Sequence, residues 1–86
     1  MKNLEKILKV FANRRRLAIL AYLKKHKEAT VGDIANEIHL SFKATSKHLG
    51  ILAAQDILEK DQRSLRAYYR ITPTQNPATH SIFSAL

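Results

Sequence analysis

Leu4, Ile7, Leu8 and Phe11 recur at i, i+3, i+4 and i+7, the spacing that lines one face of an α-helix. A first helix is predicted there, with Asn3 as its cap and Glu5 and Lys6 in its opening turn. Lys2, Lys6 and Lys9 form its other face, which reads most simply as solvated surface. Asn13 is a second cap. From Arg14 a helix is predicted to about Lys25, burying Leu17, Leu20, Ala21 and Leu23. Lys24 to Glu28 then reads as a polar connector. Thr30-Val31-Gly32-Asp33 has the [ST]-x-x-[DE] form of a capping box, and Val31, Ile34, Ala35 and Ile38 follow at helical spacing. That helix stops at His39-Leu40. Ser41 caps a fourth, running over about 42–54. Thr45, His48, Leu49 and Leu52 fall on its core-facing side; Lys43, Ser46, Lys47, Gly50 and Ala54 fall on the other.

After Gln55-Asp56 the period drops from helical to alternating. Ile57, Glu59 and Asp61 alternate with Leu58 and Lys60; beyond the polar Gln62-Arg63-Ser64, Leu65, Ala67, Tyr69 and Ile71 alternate with Arg66, Tyr68 and Arg70. This predicts a β-hairpin over about 57–71, with one apolar face and one cationic, aromatic face. Thr72-Pro73 ends it, since proline cannot continue a paired strand. A lone hairpin is unstable in water, so its apolar face must close the core. Asn76-Pro77 pairs a cap with a proline at the first helical position and opens a short helix over about 77–86. Its apolar residues, Ile82, Phe83 and Leu86, have little core left to join. Two readings stand: a dimer contact in which Ile82 and Phe83 meet Leu4 and Leu8 of the first helix, or a tail packed back on its own chain.

The predicted architecture is mainly α with a small β-hairpin, in the order α-α-α-α-β-β-α, as one domain over 1–86. Two helices joined by a turn of three or four residues, followed by a hairpin, make a winged helix-turn-helix.

Charge sharpens this picture. The net charge of +8 makes a polyanion the default partner. Residues 1–29 hold nine Lys/Arg against two Glu, whereas residues 30–86 are nearly balanced. Against that balance the acid-free helix at 42–54 stands out. Slim side chains with cations suit entry into the major groove of duplex DNA. Ser41, Phe42, Lys43, Ala44, Ser46 and Lys47 are the candidate contacts; Phe42 and Ala44 suit thymine methyls, and the lysines suit phosphates. On the wing the candidates are Arg63, Arg66, Tyr68 and Arg70, set against the flanking backbone or minor groove or simply solvated. Arg14, Arg15 and Arg16 oppose the dipole at a helix N-terminus, so something must hold them. Phosphate contact, for Arg14 and Arg15, and plain solvent exposure are the two readings. Gly50 costs about 1 kcal/mol against alanine in a helix, which close approach to DNA or to a neighbouring helix would justify.

Other classes fare worse. The chain has no cysteine, which excludes thiolate metal sites and a cysteine nucleophile. Its seven acids are scattered, with no Gly-rich phosphate loop or Ser-His-acid arrangement; no enzyme and no cofactor is expected. No apolar run nears the ~20 residues of a membrane span, and Met1-Lys2 opens no signal peptide, so a cytoplasmic protein is expected, with no membrane partner. A protein-interaction module would need an apolar patch on the fourth helix, where only Phe42 faces out. An RNA-binding domain would need more exposed aromatics than Tyr68.

Four stretches carry a resemblance. Phe11 to Leu20, FANRRRLAIL, resembles the opening of the second helix of the ArsR, or arsenic-repressor, family, which usually reads alanine-asparagine-proline-threonine-arginine-leucine. Val31 to Ile38 is similar to the first helix of that family's DNA-binding motif. Leu40 to Leu52, centred on Ser46-Lys47-His48-Leu49, resembles its recognition helix, and Tyr68 to Ile71 the end of its wing. The resemblance covers roughly residues 4 to 72 and implies a homodimeric transcriptional regulator, a repressor, of double-stranded DNA. The departures are informative. The cysteine pair used by metal-sensing members is missing from Val31 to Ile38, and His26, His39, His48 and His80 have no ligand spacing, so no metal site is expected. Arg14 and Arg15 replace the usual proline and threonine. His39 stands where glycine is common, which predicts a positive φ at His39.

Overall fold

The computed structural model describes residues 4–73 and 77–86. The expected caps at Asn3 and Asn76, and Lys2, lie outside the described residues. The elements are α1 (Leu4–Phe11), α2 (Arg14–His26), β1 (Glu28–Thr30), α3 (Val31–Ile38), α4 (Phe42–Ala54), β2 (Leu58–Arg63), β3 (Arg66–Ile71) and α5 (Pro77–Ala85).

Local chemistry sets most of the boundaries. The Asn13 side chain accepts from the backbone N–H groups of Arg15 and Arg16 at 3.0 and 3.1 Å and so starts α2. Thr30 and Asp33 form the expected capping box on α3, and Ser41 Oγ accepts from the Ala44 N–H at 3.1 Å to start α4. The end of α3 and the end of α4 both turn through the left-handed region. His39 has φ 55° and ψ 49°, as its place in the turn requires. Asp56 has φ 58°; the N–H of Asp56 reaches the carbonyl of Ala53, and the N–H of Ile57 that of Leu52. That pair of bonds is a Schellman ending, and the buried Leu52 and Ile57 supply its hydrophobic clasp.

The core is built on α2. Ile19, Leu20 and Leu23 are buried against Ile34 of α3, Leu49 and Leu52 of α4, and Ile57 and Leu58 at the start of the wing. Burying one such side chain contributes about 1.5–3 kcal/mol. The expected burial along α2 changes at three positions: Ile19 takes the central place, Ala21 is exposed and Leu17 is half-buried. The buried stripe is 19, 20, 23, which turns Ala21 to solvent.

The expected polar connector is partly a strand. Glu28–Thr30 pairs antiparallel with β3, so the sheet has three strands in the order β1-β3-β2 rather than two. Thr30 serves both as the last residue of β1 and as the cap of α3. In the hairpin, Lys60 faces Tyr69, Asp61 faces Tyr68 and Arg63 faces Arg66. The turn is Ser64-Leu65, with Ser64 at φ 54°. Leu65, expected on the apolar face, therefore lies at the tip.

The last helix packs back. Phe83 is 9% exposed and meets Phe11 edge-to-face with ring centroids 5.8 Å apart. Lys24 Nζ donates to the carbonyls of Phe83 and Leu86 at 2.8 and 3.0 Å, supplying donors to the end of α5. Phe83, expected as a dimer contact, is core of its own chain.

An L-residue held in the left-handed region costs roughly 1–2 kcal/mol, and glycine returns part of that as unfolded-state entropy. His39→Gly and Asp56→Gly are each expected to raise stability by about 0.5–1 kcal/mol, read as a higher urea midpoint at unchanged m.

Candidate nucleic-acid interface

The exposed face of α4 is a consequence of its buried one. Thr45, Leu49 and Leu52 are drawn into the core, which turns Lys43, Ser46, Lys47, Gly50 and Ala54 to solvent. Lys43 and Lys47 have no ion-pair partner among the described residues. Phe42, at the N-terminal end, is 63% exposed, Ser41 is exposed and Ala44 is half-buried. A Cβ built on Gly50 meets nothing within 4 Å, so no neighbouring helix of this chain requires the glycine.

The N-terminus of α2 borders this helix and explains its own arginines. Arg16 Nε donates to the carbonyl of Val10 at 2.6 Å and Nη2 to that of Lys9 at 3.5 Å, at the C-terminal end of α1. Its Nη1 lies 3.3 Å from His48 Nδ1 on α4. Arginine is always a donor, so Nδ1 accepts and the imidazole proton sits on Nε2. Arg15 Nη1 reaches the carbonyl of Ile38, at the end of α3, at 3.5 Å. The cations that oppose the dipole of α2 thus serve the carbonyl ends of two other helices. Arg14 is exposed. The sequence indicated that Arg14, Arg15 and Arg16 needed something to hold them; the partners of Arg16 lie on α1, just before it in the chain, and on the distant α4.

Positive potential gathers here. Burial holds the His48 imidazole below its ordinary range, and the charges of Arg16, Arg15 and Lys47 push it lower. His48 is half-buried, as expected of a core-facing residue.

The wing differs from expectation. Arg63 grips Glu28 with Nη1 at 2.6 Å and Nη2 at 2.8 Å, and donates to Asp61 at 2.9 Å. Its guanidinium lies 4.4 Å from the centre of the Tyr68 ring. Arg70 donates to Glu59 at 2.6 Å and approaches Asp61 at 3.5 Å and Glu28 at 3.9 Å. Hydrogen bonds from Arg63 hold the Glu28 and Asp61 carboxyls below the usual carboxylate range. The outer face of the sheet is therefore a closed lattice of three acids and two arginines, not a cationic surface. Part of that was visible beforehand: Glu59, Asp61 and Arg63 share one phase of the alternation. Glu28 was not, because it arrives on the unforeseen strand. Arg66 is exposed, with no ion-pair partner among the described residues.

Of the proposed dimer residues, Leu8 is 48% exposed, and Leu4 and Ile82 are half-buried.

A three-helix core, a helix-turn-helix at α3–α4 and a hairpin wing define a winged helix-turn-helix protein. The sequence profile of the ArsR family of bacterial regulatory proteins matches residues 13–60, and the chain belongs to that family. The transcriptional activator HlyU of Vibrio cholerae is 32% identical over 69 residues, covering 80% of this chain and 63% of HlyU. This chain thus spans less than two thirds of that relative. The crystal structure of NolR from Sinorhizobium fredii matches with a TM-score of 0.78 at 34% identity, over 92% of this chain and 75% of NolR. A homodimeric winged helix-turn-helix DNA-binding domain, Mb0332 of Mycobacterium bovis, matches with a TM-score of 0.82 at 27% identity, over 98% and 74% of the two chains.

Two outcomes follow from the Arg16 cluster. Charged hydrogen bonds contribute about 1.5–3 kcal/mol, so Arg16→Ala is expected to cost about 2 kcal/mol in urea unfolding, and Arg16→Lys to recover little, because a lysine lacks the fork. His48 has a folded pKa below its unfolded value of 6.5. As pH falls past that value the unfolded chain takes the proton first, so stability is intact above it and lost below. Between about pH 7.5 and 5.5 the urea midpoint of the parent is expected to fall more than that of His48→Gln, which keeps an acceptor for Arg16.

Proposed function

We propose that this chain is a transcriptional regulator, a repressor, that occupies duplex DNA as a homodimer in the cytoplasm. The single observation that carries the reading is the bare, acid-free face of α4: Lys43, Ser46, Lys47 and Gly50 stand exposed and unengaged beside the cationic end of α2. A ~12 Å major groove admits a helix with such a face. Phe42 and Ala44 suit thymine methyls, Ser41 and Ser46 offer hydroxyls to base edges or phosphates, and the lysines reach phosphates. Gly50 fits close approach to the duplex, since its own fold does not require it. Arg14 and Arg15, on the bordering helix end, extend the phosphate contact.

The wing lies on the flanking backbone or minor groove. Arg66 is the arginine it has free for phosphate, with Tyr68 beside it; Arg63 and Arg70 hold the acids of the sheet. Self-association uses Leu4 and Leu8 of α1 with Ile82 of α5, the apolar side chains left partly bare there. Two recognition helices about 34 Å apart meet successive major grooves. A dimer so placed excludes other proteins from its site, which is how occupancy represses.

Each phosphate contact contributes about one unit to the salt slope of DNA binding. In titrations of random duplex at several salt concentrations, Lys43→Ala with Lys47→Ala is expected to flatten the slope by about two, and Arg66→Ala by about one, while Arg70→Ala leaves it unchanged. An unaltered slope for the lysine pair would refute the α4 assignment. In sedimentation, Leu8→Glu is expected to shift the chain toward monomer; an unchanged distribution would place the dimer contact elsewhere.

A further inference from the structure

Leu65 is 96% exposed, in a chain whose other leucines are mostly drawn into the core or packed against it. A single exposed leucine on a surface is ordinary. Its position here is not. It is the second residue of the two-residue turn that forms the tip of the wing, where a solvated turn favours glycine, asparagine, aspartate or serine. Nothing in the fold uses it. The neighbouring cations are also sorted: Arg63 lies back along the outer face, over Tyr68, to Glu28, whereas Arg66 is left at the tip. The leading edge of the wing is thus one apolar side chain with one free guanidinium next to it.

We infer that Leu65 is an apolar wedge: it enters the minor groove, partly unstacks one base step and bends the duplex, while Arg66 holds an adjacent phosphate. Minor-groove proteins use leucine in this way, and the unstacking is offset by the extra surface that bent DNA brings into contact. The inference rests on the DNA-binding reading above and adds to it a source of specificity. Pyrimidine–purine steps such as TA and CA unstack most easily, so sites the protein prefers carry such a step where the wing lands. That preference needs no hydrogen bond to a base.

The test begins with a pool of random duplexes of about 30 base pairs, enriched on the wild-type chain and end-labelled for energy transfer, which reads the bend. Leu65→Ala, at an exposed turn, is expected to keep the parent urea midpoint. It is expected to lose most of the bend and roughly five- to tenfold in affinity. Leu65→Lys adds a cation, so its salt slope steepens, but the bend does not return. Equal bending by the parent and Leu65→Ala, or an unbent duplex with the parent, overturns the wedge while leaving the α4 assignment standing. A parent that enriches no duplex, or enriched binding indifferent to the Lys43 and Lys47 substitutions, overturns the underlying reading and the wedge with it.

Discussion

The carbonyl end of a helix needs donors, and this fold meets that need with arginines placed at the start of another helix. The guanidinium of Arg16 joins the end of α1 to His48 of α4, and Arg15 reaches the end of α3. Asn13 fixes the helix from which both project. Helices α1, α3 and α4 are thereby registered against one point on α2. The core beneath, Ile19, Leu20 and Leu23 against Ile34, Leu49 and Leu52, supplies most of the cohesion but is less directional. Burial of Thr45, Leu49 and Leu52 sets which side of α4 is left bare, and polar groups with few acceptable partners hold that helix in place against α1 and α2.

Much of this was readable in the chain because it is local. Caps at Asn13, Thr30 and Ser41 act within three residues. The left-handed turn at His39 follows from where a helix must stop and another must start. The apolar spacing of α3 and α4 names their buried sides correctly. What escaped is non-local. The strand Glu28–Thr30 is only three residues long and is defined by partners some forty positions away, so no alternation could announce it. Without it Arg63 lacks Glu28, its two-pronged partner, although Asp61 and Glu59 lie within the expected hairpin. Phe83 read as surplus because the space beside Phe11 exists only after α1 and α2 have packed. In the candidate site, α4 was legible and the allocation of the wing's arginines was not.

That allocation changes how charge is shared across the molecule. Five side chains from three strands satisfy one another on the outer face of the sheet. Each is too exposed for its pairing to contribute much stability alone, but the arrangement braces a short sheet. It also concentrates the excess positive charge of the chain on α2 and α4. The electrostatic gradient therefore points to the helix face rather than to the wing.

The turns that bracket α4 and tip the wing, at His39, Asp56 and Ser64, are all left-handed, and none is a glycine. In evolutionary terms this is latent adaptability. One glycine at any of these turns relieves backbone strain without altering a side chain on the bare face of α4. A lineage carrying this sequence into a hotter habitat has a short mutational path to greater stability.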